Sequence, residues 1–272
     1  MNETITRLLS GIVYVLLLLF AISYSQTSFF ILFGLFLLIA INEFCNLVQI
    51  SKTIPSIFAL LLFSVFTFGK IEINWLSKLV LAATILISIK AMFFLFSNTI
   101  TSHSATDKYL YIIGYIIFSF IFIAKIPIGI KGYNPKIIIG IFILIWTNDS
   151  FAYIVGKSIG KNKLFERVSP KKTIEGFIGG LVFSIFVGIL ISKYYIGSSK
   201  INTMYIWIGI AFIASVFGTI GDLVESKFKR IANVKDSGNI MPGHGGVLDR
   251  LDSIIFVAPF IYLFYQILYY VS

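Results

Sequence analysis

Apolar residues fill this chain in long runs, interrupted by short polar segments. A helix crossing a lipid bilayer needs about 20 mostly apolar residues, with a practical range of about 17 to 25. That criterion marks nine candidate spans, near residues 8–24, 28–43, 55–69, 75–97, 109–125, 137–156, 174–195, 203–222 and 253–271. The third is short and is expected to be tilted or shallow. All are expected to be helices, because lipid offers no water to satisfy open backbone groups. The first run follows Arg7 as the core of a secretory signal would, but it reaches about Tyr24 and more spans follow, so it is read as an uncleaved first span. The expected fold class is an all-α polytopic membrane protein, with about nine transmembrane helices and a polar cytoplasmic catalytic loop between the last two.

Composition agrees with the pattern. Of 272 residues, 58% are hydrophobic and only 12% charged, with a mean hydropathy of +0.94. That leaves too little polar surface to coat a water-soluble globule. The net charge of +10 excludes little by itself. Nucleic-acid binding needs a basic soluble face, which the chain lacks, whereas basic loops suit anionic lipid and a phosphate-rich substrate. Cys45 is the single cysteine, so no intramolecular disulfide forms. No repeat, linker or low-complexity tract divides residues 1–272, which are read as one integral-membrane domain. The sequons at Asn2 and Asn148 carry no weight, the second lying in an apparent membrane helix.

Charge placement gives an orientation. With the N-terminus in the cytoplasm, inside segments carry fourteen Lys and Arg and outside segments six, with Lys78 and Lys90 inside the fourth span. This bias favours N-in, C-out in the cell (inner) membrane and puts both strongly polar segments on the cytoplasmic side. Eight of the twelve acids lie from Asp149 onward. Residues 1–135 therefore read as mainly scaffold helices and 136–272 as a catalytic half. In the first half, Asn42 and Glu43 are expected at the interface, with a pairing to Lys90 or a place in a substrate cavity as the other uses. Lys90 is expected to snorkel or pair inside the bundle, and His103 to lie in a solvated loop.

The first polar segment spans residues 146–180. Asp149 sits in an apolar span, costly for a carboxylate unless it is paired or faces a polar cavity. Tyr153 follows four residues later on the same helical face. Ser169–Pro170 reads as an N-cap with proline at the first helical position, placing Lys171 and Lys172 at a helix start suited to an anion. Gly176 and Gly180, four apart, are read as helix-packing positions.

The second segment, 221–253, is the most polar run in the chain. If the eighth helix continues, Asp222, Ser226, Lys229 and Arg230 share one face, an acid, a hydroxyl and two cations suited to a metal and phosphates together. Lys235–Asp236 follows. Gly238 and Pro242 should break the helix, and Gly243-His244-Gly245-Gly246 permits a loop whose N–H groups can meet phosphate oxygens. Asp249, Arg250 and Asp252 then enter the last span. Mg²⁺ prefers carboxylate and phosphate oxygens, and Asp222 and Asp249, at opposite ends of the segment, are the ligands chosen. Lysine and arginine would neutralise a polyphosphate. For His244, acid–base work, a phosphate contact and a loop-holding hydrogen bond all remain open, the last two being favoured.

The run SKFKRIANVKDSGNIMPGHGGVLDRLD resembles the signature of phosphatidate cytidylyltransferases (CDP-diacylglycerol synthases). It carries Ser226, Lys229, Arg230, Lys235, Asp236, Pro242, His244, Gly245, Gly246, Asp249, Arg250 and Asp252. Met241 stands where the family tends to have Leu, Ile or Phe. Upstream, Gly221–Asp222, Asp149, Ala152, Tyr153, Gly156 and SPKKTIEG at 169–176 are also similar. The strong motifs cover 146–253. The resemblance implies that CTP and phosphatidate give CDP-diacylglycerol and pyrophosphate, with Mg²⁺ required and a second cation possible. It also implies a helical membrane fold, a homodimer, and metal-binding aspartates matching Asp222 and Asp249. The expected catalytic residues are Ser226, Lys229, Arg230, Lys235, Asp236, His244 and Arg250. The expected substrate-binding residues are Asp149, Tyr153, Lys171, Lys172, Gly245, Gly246 and Asp252. The expected chemistry is in-line attack of the lipid phosphate on the α-phosphorus of CTP. Two rivals are a CTP-dependent lipid kinase, which needs a base for a lipid hydroxyl, and a transporter using Asp149, Lys90 and Glu43, which leaves the long polar loop without a purpose.

Overall fold

The computed structural model describes residues 3–69, 74–97, 104–129, 132–197 and 201–271; Asn2 and His103 lie outside them. Among the described residues the chain forms nine helices and two small hairpins. The helices are α1 (Glu3–Tyr24), α2 (Gln26–Val48), α3 (Thr53–Phe68), α4 (Asn74–Phe96), α5 (Ala105–Lys125), α6 (Pro135–Ile159), α7 (Ile174–Tyr195), α8 (Ile201–Ile231) and α9 (Leu248–Val271). Hairpin β1–β2 (Ile128–Gly129, Gly132–Tyr133) links α5 to α6, and β3–β4 (Lys163–Phe165, Ser169–Thr173) links α6 to α7. Eight of these helices are long and apolar enough to cross a membrane, and α3, at 16 residues, is shorter. Large apolar side chains such as Leu8, Val13, Leu16, Phe20, Leu61 and Leu86 face outward. Water would not tolerate so continuous an apolar surface, and the chain is an integral membrane protein.

Inside, α2 and α5 bury aromatic side chains along their length. Phe29, Phe33, Phe44, Tyr115 and Phe120 are fully buried, and Phe142 and Phe256 meet them from α6 and α9. A π-helical segment at Tyr111–Ile117 interrupts α5. There Tyr111 meets Phe228 at a centroid distance of 5.2 Å, and Phe44 meets Phe228 at 5.0 Å. These contacts seat the C-terminal end of α8 in the core of the first half.

One expectation needs correction. The eighth helix does continue past Asp222 and runs on to Ile231, because no glycine or proline interrupts LVESKFKR and Glu225 sits four residues before Lys229, a favourable helical pairing. Ser169–Pro170, by contrast, does not start a helix. Ser169–Thr173 is a strand paired with Lys163–Phe165, and the cap of α7 is Thr173, whose hydroxyl accepts from Gly176 N at 3.1 Å. Proline biases the residue before it toward extended backbone, which suits a strand as well as a cap. Lys171 and Lys172 thus alternate along a strand instead of crowning a helix.

Helices α6 and α7 pack closely at glycines. A Cβ on Gly176 would lie 2.6 Å from Ala152 O, and one on Gly180 2.6 Å from Asn148 O. Gly176 and Gly180 therefore serve packing, as their spacing suggests. Gly180→Val is expected to lower stability by about 1–3 kcal/mol through overpacking. Heating the detergent-solubilised protein and measuring the monodisperse fraction by size exclusion checks this. Gly129→Val, where nothing lies within 4 Å, should behave as the unaltered chain.

Candidate active site

The site is built where α8 crosses α9. Gly221 makes the crossing tight: a Cβ there would lie 2.6 Å from Phe256 Cβ and 2.8 Å from Asp252 O. The close approach brings α8's Asp222 and Glu225 against α9's Asp252. One oxygen from each of these three lies within 4.8 Å of the others. Glu225 is fully buried. It pairs with Lys229 one turn later. A buried carboxylate is costly unless its charge is met, and the Lys229 ammonium meets it. An all-oxygen set of this kind suits a hard divalent cation such as Mg²⁺.

Cations surround the acids. Lys172 reaches from β4 to pair with Asp222, and Ser226 Oγ donates to Asp222 at 3.1 Å. Burial works against the Lys172 charge, but Asp222, Asp149 and Asp252 outweigh it and hold the ammonium above its ordinary range. Lys229 bridges Glu225 and Asp249, with Nζ 2.6 Å from Asp249 Oδ1. Lys172, Asp222, Lys229, Asp249 and Asp252 line a cavity of about 740 Å³ with Asp149, Tyr153, Lys157, Lys163, Lys171, Thr219, Asp236 and Arg250. A second cavity of about 340 Å³ adjoins it, sharing Asp149, Asp249, Arg250, Asp252 and Ser253. Its other walls include Val15, Phe142, Ile145, Trp146 and His244.

The segment between α8 and α9 closes over this floor. Asp249 Oδ2 accepts from Ser237 N at 2.8 Å, Ser237 Oγ at 2.9 Å and Gly246 N at 2.7 Å. Residues 241–245 form a tight turn, with Met241 N donating to Gly245 O at 2.9 Å and Gly245 N to Met241 O at 3.1 Å. Gly243 and Gly245 have φ of 75° and 87°, the left-handed region that glycine enters at no steric cost. His244 Nδ1 lies 2.7 Å from Ser10 Oγ on α1, and Gly11 packs on the ring. Burial, then Arg250 and Arg7, push the His244 imidazole below its usual range, so the ring is neutral at pH 7. That charge state and the Ser10 contact describe a ring that ties α1 to the loop.

The expected residues thus divide. Asp149, Tyr153, Lys171, Lys172, Asp222, Lys229, Asp236, Asp249, Arg250 and Asp252 line one cavity, and Ser226 supports Asp222. Arg230 turns away, donating to Val168 O at 3.4 Å and Val234 O at 3.3 Å. Lys235 is exposed and lines neither cavity. The amides of Gly245 and Gly246 go to protein acceptors, Met241 O and Asp249 Oδ2. Sequence reasoning missed Glu225, hidden in a helical charge run, and Lys157 and Lys163, counted only for topology. It also did not foresee the partners of Glu43. That residue is 2% exposed and accepts from Val247 N at 3.0 Å, Leu248 N at 2.8 Å and Ser237 Oγ at 3.1 Å. Lys90 pairs instead with Asp107. The available signal for Glu43 was the cost of a carboxylate at the end of an apolar span.

Comparison with known proteins agrees with this architecture. The model of the cytidylyltransferase family matches residues 5–268. A phosphatidate cytidylyltransferase of Bacillus subtilis (strain 168) is 35% identical over 261 residues, covering 94% of this chain and 95% of the relative. One from Staphylococcus haemolyticus (strain JCSC1435) is 35% identical over 260 residues, covering 93% and 95%. One from Staphylococcus aureus (strain COL) is 52% identical over 118 residues, 43% of this chain and 44% of the relative. With the family matched along nearly its whole length, this chain belongs to the cytidylyltransferase family, among the phosphatidate cytidylyltransferases that its 221–253 segment resembles.

Proposed function

We propose that this chain transfers the cytidylyl group of CTP to phosphatidate, giving CDP-diacylglycerol and pyrophosphate. The observation that carries the reading is the pair of joined cavities. One is lined by lysines and carboxylates, the other by apolar and aromatic side chains, and they share Asp149, Asp249, Arg250 and Asp252. A polyphosphate fits the first and the glycerol end of a lipid the second, so the two phosphates meet at the shared wall. A phosphatidate oxygen attacks the α-phosphorus in line, and the bond to the bridging oxygen of pyrophosphate breaks. The attacking phosphate is already anionic, so no general base is required. Lys172, Lys229 and Arg250 bind and orient the charged groups, and the lysines stabilise the departing pyrophosphate.

Asp222, Glu225 and Asp252 would hold Mg²⁺, which when bound neutralises polyphosphate charge. Asp249, which lines the same cavity, would be a further ligand, and a second cation belongs to the same proposal. Cytoplasmic placement of both polar segments in the cell membrane, where CTP is found, and a homodimeric assembly belong to the same proposal. A CTP-dependent lipid kinase is disfavoured because the relatives that match nearly the whole chain are phosphatidate cytidylyltransferases. A transporter path is disfavoured because Lys90 and Glu43 are engaged elsewhere.

Membranes given CTP labelled at the α-phosphate and phosphatidate should yield labelled lipid, while γ-label should remain in water-soluble pyrophosphate. Lipid labelled only from the γ-position would overturn cytidylyl transfer in favour of a kinase. Lys172→Met should lower kcat/KM about 10²–10³-fold, as loss of a group stabilising transition-state charge does. Asp222→Asn and Asp249→Asn should abolish turnover with membrane insertion intact, as read by activity and by protein recovered in membranes. Retained activity of Asp249→Asn at ordinary Mg²⁺ removes Asp249 from the metal site.

A further inference from the structure

Glu43 lies in the half of the chain read as scaffold, yet the donors to its carboxylate belong to the loop and the start of α9. Val247 and Leu248, which donate to it through backbone N–H groups, immediately precede Asp249. The Ser237 hydroxyl lies 3.1 Å from Glu43 Oε2 and 2.9 Å from Asp249 Oδ2, so its one proton can serve either carboxylate. Loop glycines leave room for this arrangement. A Cβ on Gly238 would lie 2.5 Å from Glu43 Oε1, and one on Gly246 2.5 Å from Glu43 Oε2. The pocket is thus shaped for an acceptor-only group: whichever way it turned, a glutamine would set its NH₂ against the N–H of Val247 or Leu248. We infer that Glu43 is a positioning residue for Asp249, holding the start of α9 and Ser237 so that the Asp249 carboxylate is presented to the cavity in one orientation. Nothing on Glu43 touches the reacting groups; it acts through Ser237 and the backbone of residues 247 and 248.

This inference rests on the cytidylyl-transfer reading above, with Asp249 among the cation ligands. Its test uses the purified full chain in detergent, Mn²⁺ as the probe with affinity read by electron paramagnetic resonance, and the Mg²⁺ dependence of CTP:phosphatidate turnover. Glu43→Gln should weaken Mn²⁺ binding about 10–100-fold, the usual cost of removing a group that orients a metal ligand. The Mg²⁺ activation constant should rise by a similar factor. Ser237→Ala should weaken Mn²⁺ binding by about 10-fold, and the double variant should be no worse than Glu43→Gln, since both act along one chain of bonds. Unchanged Mn²⁺ affinity and Mg²⁺ dependence, with only heat stability lowered, would reduce Glu43 to a structural cap and overturn the inference. If Glu43→Gln does not fold, Ser237→Ala decides alone by the same measure. An unaltered chain that binds no Mn²⁺ or transfers no cytidylyl group sinks the functional reading instead. Normal transfer in the unaltered chain beside unaltered Mn²⁺ binding in Ser237→Ala sinks this one.

Discussion

The polar site of this molecule is arranged around carboxylates that should repel one another. Asp222, Glu225 and Asp252 place oxygens within 4.8 Å, where two unit negative charges repel by on the order of 3 kcal/mol at an effective dielectric of about 20. Two cations answer that repulsion, and they come from different parts of the chain. Lys229 lies on the same helix as two of the acids. Lys172 arrives on a hairpin strand and meets Asp222. The glycine at 221 sets the scale of the problem, because it lets α8 and α9 approach closely enough to bring the acids together. A larger residue would relieve the repulsion and dismantle the site.

The hairpin between α6 and α7 follows from the same constraint. A lysine at a helix start would have offered a backbone-lined anion site. A lysine on a strand alternates with its neighbour, so Lys172 is half-buried against the acids while Lys171 stays exposed at the cavity rim. Glu175 secures the turn that feeds this hairpin by accepting from Lys161 N at 3.1 Å and Asn162 Nδ2 at 2.7 Å. The packing of α6 on α7 at Gly176 and Gly180 then fixes where the strand ends. Local backbone geometry and helix packing together aim one ammonium at one carboxylate.

The sequence disclosed the membrane-spanning character, the pairing of the 146–176 and 221–253 segments, and most of the cavity lining. Those features rest on residue type and short spacing, which are local. What escaped it depended on contacts remote in the chain. The strand at 169–173 is specified by its partner at 163–165, and Ser-Pro suits a cap equally well. Glu225 sat in a charge run that a solvated helix face would also explain; only the tight crossing with α9 buries it. The donors to Glu43 lie some two hundred residues away along the chain, beyond any periodicity.

The glycine-rich turn shows how the two levels join. Read alone, Gly243-His244-Gly245-Gly246 suggests a loop that cups a phosphate. In the fold, a Cβ on Gly245 would lie 2.6 Å from Asp249 Oδ2, and one on Gly246 would collide with Ser237 Oγ as well as Glu43. The glycines are small because carboxylates already occupy the space beside them, and their amides are consumed in holding the turn and Asp249. The anion cupped by this loop is therefore the protein's own. It follows that the 221–253 segment is not a self-sufficient site. Its loop is closed from below by a glutamate of α2 and tied at its turn to Ser10 of α1. The opening helices of the chain thus take part in forming the catalytic half's geometry, although they contribute little to its chemistry.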